Sequence, residues 1–171
     1  MAKYDLIGLG NALVDSEFHV TDSFLKKNGF EKGTMHLVDN DEQTNLLNSL
    51  EKEYGKPSLA CGGSATNTIF AASILGSSCS YICKVGNDKN GNFYLNDLSD
   101  AGVNIDHSIM LDSEIGSGTC TVMVSPDAER TMSTCLGISS DLSASDVAEE
   151  IFSDSKLICL LYTSPSPRDL M

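Results

Sequence analysis

The segment Gly62-Gly63-Ser64-Ala65-Thr66-Asn67, continuing through residues 68–75 and stopping at Gly76, constrains the fold more than any other stretch of the chain. Two successive glycines have no Cβ, so the backbone there can take conformations closed to other residues and a ligand can approach the main chain. Residues 68–75 have the apolar content of a buried helix, and Gly76 falls where a left-handed C-cap is expected. Asn67 then lies in the first turn, where its carboxamide can donate and accept at once, which suits a pair of neighbouring hydroxyls. The same residues also suit a plain glycine turn into a core helix with Asn67 as a helix-start residue, and on this segment alone both readings stand.

The flanking sequence alternates strand and helix signals. Residues 4–10 read as a buried strand ending in glycines. Its Gly8-x-Gly10 pair does not make a dinucleotide fingerprint, because Leu13 stands where the third glycine belongs and no helical pattern follows. The chain instead stays extended through residues 14–20, placing Asn11 and Asp15 at the end of a core strand, where α/β sheets commonly bind ligands. Thr21 or Asp22 caps a short helix reaching Lys27, residues 34–38 form a strand, and Asn40 with Gln43 forms a capping box. The helix it opens carries Leu46, Leu47, Leu50 and Tyr54 at helical spacing and ends at Gly55 and Pro57. Residues 79–85 read as one strand, residues 86–91 as a turn, and residues 93–101 as an amphipathic helix with Phe93, Leu95, Leu98 and Ala101 inward. This rhythm argues for an α/β fold built on a parallel sheet flanked by helices.

Between Gly116 and Gly137 the texture changes to a hairpin: residues 119–124, a Pro126-Asp127 turn, and residues 130–136 returning. Arg130 stands there without another arginine before Arg168, either a surface charge or an anion clamp. Ser143-x-x-Asp146 reads as a capping box for a helix through Phe152, and residues 156–160 as a further buried strand. Residues 161–171 break the pattern with two of the four prolines and are expected to be a non-native or disordered tail.

Composition bounds the partners. With 171 residues and 41% hydrophobic content the chain can bury a core. A net charge of −13 argues against nucleic-acid polymers and anionic membranes, which need clustered Lys and Arg. No signal peptide or transmembrane run is legible, so a cytoplasmic location is expected. The six cysteines form no Cys-x-x-Cys pair and read as buried reduced thiols; the three histidines are isolated, which offers no metal cluster.

Taken together, these residues resemble the pfkB-type carbohydrate kinase (ribokinase) family, in its adenosine-kinase-like branch. The resemblance rests on Gly62, Gly63, Asn67, Gly76 and Gly86; on Gly86-x-Asp88-x-x-Gly91; on Gly10-Asn11-Ala-Leu-Val-Asp15; and on residues 126–132 with Leu136-Gly137. Ile69 departs from it, standing where many sugar-specific members have a small residue. The resemblance implies a ribokinase-like parallel sheet carrying a small β lid. The lid would be built from the hairpin at residues 119–135 and strands near Phe18 and Leu37. Residues 1–160 would be the N-terminal part of the kinase domain. It implies ATP-dependent phosphoryl transfer, with Mg2+, to a hydroxyl of a sugar or nucleoside. Asn11, Asp15, Gly62, Gly63 and Asn67 would contact that substrate, Arg130 would approach the phosphates, and two copies would pair through the lid. The family's second signature, Asp-Thr-x-Gly-Ala-Gly-Asp, is absent from the sequence. The stretch is thus expected to hold the acceptor half of a kinase site and to be inactive alone; the alternative is a non-catalytic sugar-binding module.

Overall fold

The computed structural model describes residues 2–160, and the expected tail at residues 161–171 lies outside them. The described elements run β1 (Tyr4–Leu9), β2 (Leu13–His19), α1 (Asp22–Lys27), β3 (Met35–Leu37), α2 (Asn40–Tyr54), β4 (Ser58–Gly62), α3 (Ser64–Ile74) and β5 (Cys79–Ile82). They continue with β6 (Lys84–Gly86), α4 (Lys89–Asp100), β7 (Ile109–Leu111), β8 (Gly118–Val124), β9 (Arg130–Cys135), α5 (Glu150–Ser153) and β10 (Ser155–Leu160).

Three sheets result. The main one has the order β10-β1-β5 and is parallel throughout, so its connections must cross over outside the sheet. Helix α3 lies on it, with Ile69 wholly buried among Tyr81, Val85, Tyr94 and Leu98. On the opposite side, Ile151 of α5 packs with Tyr4, Ile7, Leu9 and Ile82. The second sheet has the order β3-β9-β8-β2-β4, with β8 and β9 forming the antiparallel hairpin read from the sequence. Successive strand residues face opposite sides. Along β2, Val14, Ser16 and Phe18 are buried, whereas Asp15, Glu17 and His19 occupy the other face. Phe18 and Met123 pack with Phe24, Leu25 and Leu50 of α1 and α2. The buried Gln43 ties α2 to the hairpin: its amide donates to Thr121 Oγ1 (3.1 Å), and its carbonyl accepts from Ser133 Oγ (3.1 Å). A two-stranded parallel pair, β6-β7, completes the fold.

Several sequence expectations shift. The capping box of α2 is Asp39 with Glu42, not Asn40 with Gln43, whose buried side chain bonds to the hairpin instead of the helix start. Helix α3 begins at Ser64, before the expected residue 68, and only one stripe of it is buried. It covers one side of a sheet, so Ile74 and Leu75 stay 63% and 86% exposed. Gly76 does follow it in the left-handed region, φ +97°. The strand at residues 79–85 divides at Cys83, because Ile82 is the last residue to pair with β1 and Lys84 the first to pair with β7. Helix α4 starts at Lys89, capped by Asp88, whose carboxylate accepts from Gly91 N–H; Tyr94 and Leu98 are its buried side chains. The Ser143–Asp146 box forms, but it closes a single 3-10 turn, since Val147 is already extended and Lys84 Nζ draws on the same Asp146 carboxylate at 2.9 Å.

Candidate acceptor site

Where the second sheet meets the start of α3, a cavity of about 270 Å³ is lined by Asp15, Glu17, Ser58, Ala60, Cys61, Asn67, Val122 and Arg130. Asp15 stands on β2 between Ala60 of β4 and Cys120 of β8. It therefore sits inside the second sheet, not at the end of the first core strand where sequence reasoning put it.

Gly62 makes room for this carboxylate. A Cβ built on Gly62 would overlap the Asp15 carboxylate group, so any other residue there would displace it. Gly63 follows at φ +102°, the left-handed region that glycine enters without strain. It caps α3 through its carbonyl, which accepts the Asn67 N–H at 2.9 Å. A side chain at Gly63 would also press on the Asn11 carbonyl oxygen, 2.6 Å from the ideal Cβ position. The turn is pinned from below by α4. The buried Tyr94 hydroxyl donates to the Gly62 carbonyl oxygen at 3.3 Å and shares a 2.5 Å hydrogen bond with Thr66 Oγ1.

The electrostatics follow from this packing. Burial pushes the Asp15 carboxyl up to about 6; the Arg130 guanidinium pulls it back and Glu17 raises it further. Arg130 Nη2 lies 3.9 Å from Glu17 Oε2. Cys61 donates its thiol to the Tyr94 carbonyl oxygen at 3.3 Å, and burial raises its pKa far above the range of a nucleophile. Burial likewise raises Cys120 to about 11. All six cysteines are free thiols.

The structure thus brings Asp15, Gly62, Gly63, Asn67 and Arg130 together. Asn11 is placed differently. It lines a second cavity of about 730 Å³ beyond β1, with Gly10, Leu136, Leu142, Phe152 and Leu160, and reaches the first site only through its carbonyl beside Gly63. Ile69 lies in the core and lines neither cavity. Sequence reasoning missed Glu17, which strand alternation from Asp15 would have supplied, and Tyr94, whose role depends on how α4 docks. Among the described residues, no group of three or more His, Cys, Asp or Glu side chains could hold a metal ion, and no helix is long and apolar enough to cross a membrane.

Comparison with known proteins bears on this geometry. The profile described as pfkB family carbohydrate kinase matches residues 33–168. The adenosine kinase of Saccharomyces cerevisiae is 31% identical over 137 residues, 77% of this chain and 39% of the yeast protein. The ribokinase of Dictyostelium discoideum is 31% identical over 106 residues, 60% of this chain and 33% of its own length. The crystal structure of adenosine kinase from Sinorhizobium meliloti superposes with a TM-score of 0.84 at 34% identity, covering 93% of this chain and 47% of that one. A probable sugar kinase from Rhizobium etli gives 0.83 at 31% identity, covering 94% and 47%. The chain spans less than half the length of each of these relatives.

Proposed function

The chain belongs to the pfkB family of carbohydrate kinases, and from that premise we propose that it forms the acceptor-binding part of an enzyme that transfers the terminal phosphoryl group of ATP to a hydroxyl of a sugar or nucleoside. The observation that carries this reading is the seating of the Asp15 carboxylate against the bare Cα of Gly62, in one cavity with Asn67 and Arg130. A vicinal diol presents two donors and two acceptors within a small arc. The ionised Asp15 accepts from both hydroxyls, the Asn67 amide answers with a donor and an acceptor, and the glycine pair lets the ring approach the backbone. Holding the acceptor in one orientation converts the encounter with the phosphoryl donor into a step inside one complex.

Arg130 extends from the hairpin over this cavity, and a guanidinium there suits the charge on the transferring group. Mg2+ and the phosphate chain of ATP do not fit the described residues, which offer no carboxylate cluster for the metal and no second signature for the phosphates. In this reading the general base and the nucleotide site lie in sequence outside the chain. Pairing of two copies through the second sheet fits the exposure of Met35 and Leu37 on β3, 53% and 64%, and sedimentation velocity reads it directly.

The test is phosphoryl transfer by the complete protein from ATP to a panel of pentoses and nucleosides. Asp15→Asn should weaken acceptor binding roughly tenfold to hundredfold, the cost of about 1.5–3 kcal/mol for a hydrogen bond to a charged group, and should leave ATP affinity intact. Equal weakening of both ligands would overturn the assignment.

A further inference from the structure

Two residues beyond Asp15, strand alternation presents a second carboxylate to the same cavity. Glu17 pairs with Ser58 on β4 and Val122 on β8, both of which line the cavity with it. One of its oxygens, Oε2, is 3.9 Å from Arg130 Nη2, and the other, Oε1, is 3.7 Å from His19 Nε2. Arg130 is the single Lys or Arg among the lining residues and faces two acids, Asp15 and Glu17. With both acids ionised, the wall carries one more negative charge than positive. The rest of the chain, at net −13, adds to that sign.

This arrangement treats charged and uncharged ligands differently. An uncharged polyol can take the Asp15 carboxylate without disturbing Glu17 or Arg130. A phosphate monoester carries about −1.5 to −2 near pH 7. A phosphate drawn to the guanidinium comes to rest beside the Glu17 carboxylate, which stands 3.9 Å from Arg130 Nη2. Like charges brought together in this way cost affinity and suppress wrong partners.

We propose that Glu17 is a specificity-determining residue: by placing a carboxylate beside the Arg130 guanidinium it makes the cavity admit an uncharged acceptor and disfavour the same molecule already carrying a phosphate ester. The inference rests on the acceptor-site reading and deepens it. In a phosphotransferase it would reject phosphorylated compounds as acceptors and hasten release of the phosphorylated product.

The experiment measures adenosine and adenosine 5′-monophosphate binding to the chain by ligand-observed NMR at low-micromolar protein, in low and in high salt. Glu17→Gln should raise the affinity ratio of monophosphate to nucleoside about 1.5-fold to fivefold at low salt, the range expected for a partly exposed charge, and high salt should shrink the change. Arg130→Gln should move the ratio the opposite way. A structural role for Glu17 would shift both ligands together, so an unchanged ratio overturns the proposal while the acceptor reading stands. Failure of the wild type to bind adenosine, or ribose in its place, overturns the acceptor reading and this proposal with it.

Discussion

Replacing Asp15 by Asn should make the protein more stable at neutral pH while weakening its proposed ligand site. The reasoning starts from burial. The folded state holds the Asp15 carboxyl at about 6, against an ordinary value of 3.8. A carboxyl whose folded pKa is raised disfavours folding wherever it is ionised. Its contribution is absent below pH 3.8, grows as pH rises toward 6, and is fully present above that. The full gap corresponds to about 3 kcal/mol. Asp15 is partly exposed and solvent screens it, so about 1–2 kcal/mol is the working figure. Asn keeps the shape and removes the charge, which should raise Tm at pH 7 by roughly 2–8 °C for a chain of this size. Urea unfolding of the wild type and of Asp15→Asn at pH 7.5 and at pH 4 measures it. The advantage of the variant should be clear at pH 7.5 and nearly gone at pH 4. An advantage independent of pH, or a variant less stable at pH 7.5, would refute the claim that the folded state holds an ionised carboxylate at a cost.

Three further outcomes are expected. Gly62→Ala should abolish acceptor binding by pushing the Asp15 carboxylate aside, with a stability cost of about 1–3 kcal/mol for overpacking; a crystal structure with Asp15 unmoved would contradict it. Asp88→Ala should cost about 2–4 kcal/mol in urea unfolding, because one carboxylate caps α4 and also accepts from the Ser117 N–H (2.7 Å) and Ser117 Oγ (2.8 Å). Burial pushes the Asp88 carboxyl up, but these hydrogen bonds outweigh it and hold the group below its ordinary value. The chain should also self-associate with rising concentration, because among the described residues β10 leaves one edge unpaired and Leu157, Ile158 and Leu160 are 66%, 48% and 53% exposed; light scattering that stays flat across a hundredfold concentration range would count against this.

Much of this architecture was legible because it is local. The glycine pair, the Gly76 stop, the 119–135 hairpin and the strand at residues 156–160 each announce themselves within a few residues, and the structure forms all of them, although that last strand, expected to be buried, is largely exposed because it lies at the outer position of its sheet among the described residues. What escaped depends on partners far along the chain. Nothing near residue 83 says that one strand will leave β1 for β7. The swap from Asn40 to Asp39 as cap is a contest between adjacent good caps, and Gln43 is not free to close a box on Asn40 because its amide is engaged by Thr121 and Ser133. Asn67 was found as a polar residue just after the glycine pair, and Asp15 as a polar residue following the first core strand. Asn11 shared that signal, yet the chain turns between β1 and β2 and sends it to a different cavity. Tyr94 gave no signal, since its hydroxyl meets Gly62 only after α4 docks.

The parallel pairings have a consequence for how the chain is made. Leu6 of β1 meets Cys79 and then Leu157, so the central strand of the three-stranded sheet lacks both its neighbours until distant sequence has left the ribosome; β2 can pair with β4 earlier but meets β8 only when Gly118 has emerged. At about 5–20 residues per second of synthesis, β10 emerges roughly 8–30 s after β1. High contact order of this kind slows folding, because loop closure must precede any gain from the contact. For the first half of that interval β1 has neither neighbour, and for the rest Ile7 and Leu9 can be sheltered on the β5 side alone, which makes a nascent chain of this design a natural client for chaperones that hold exposed apolar strands.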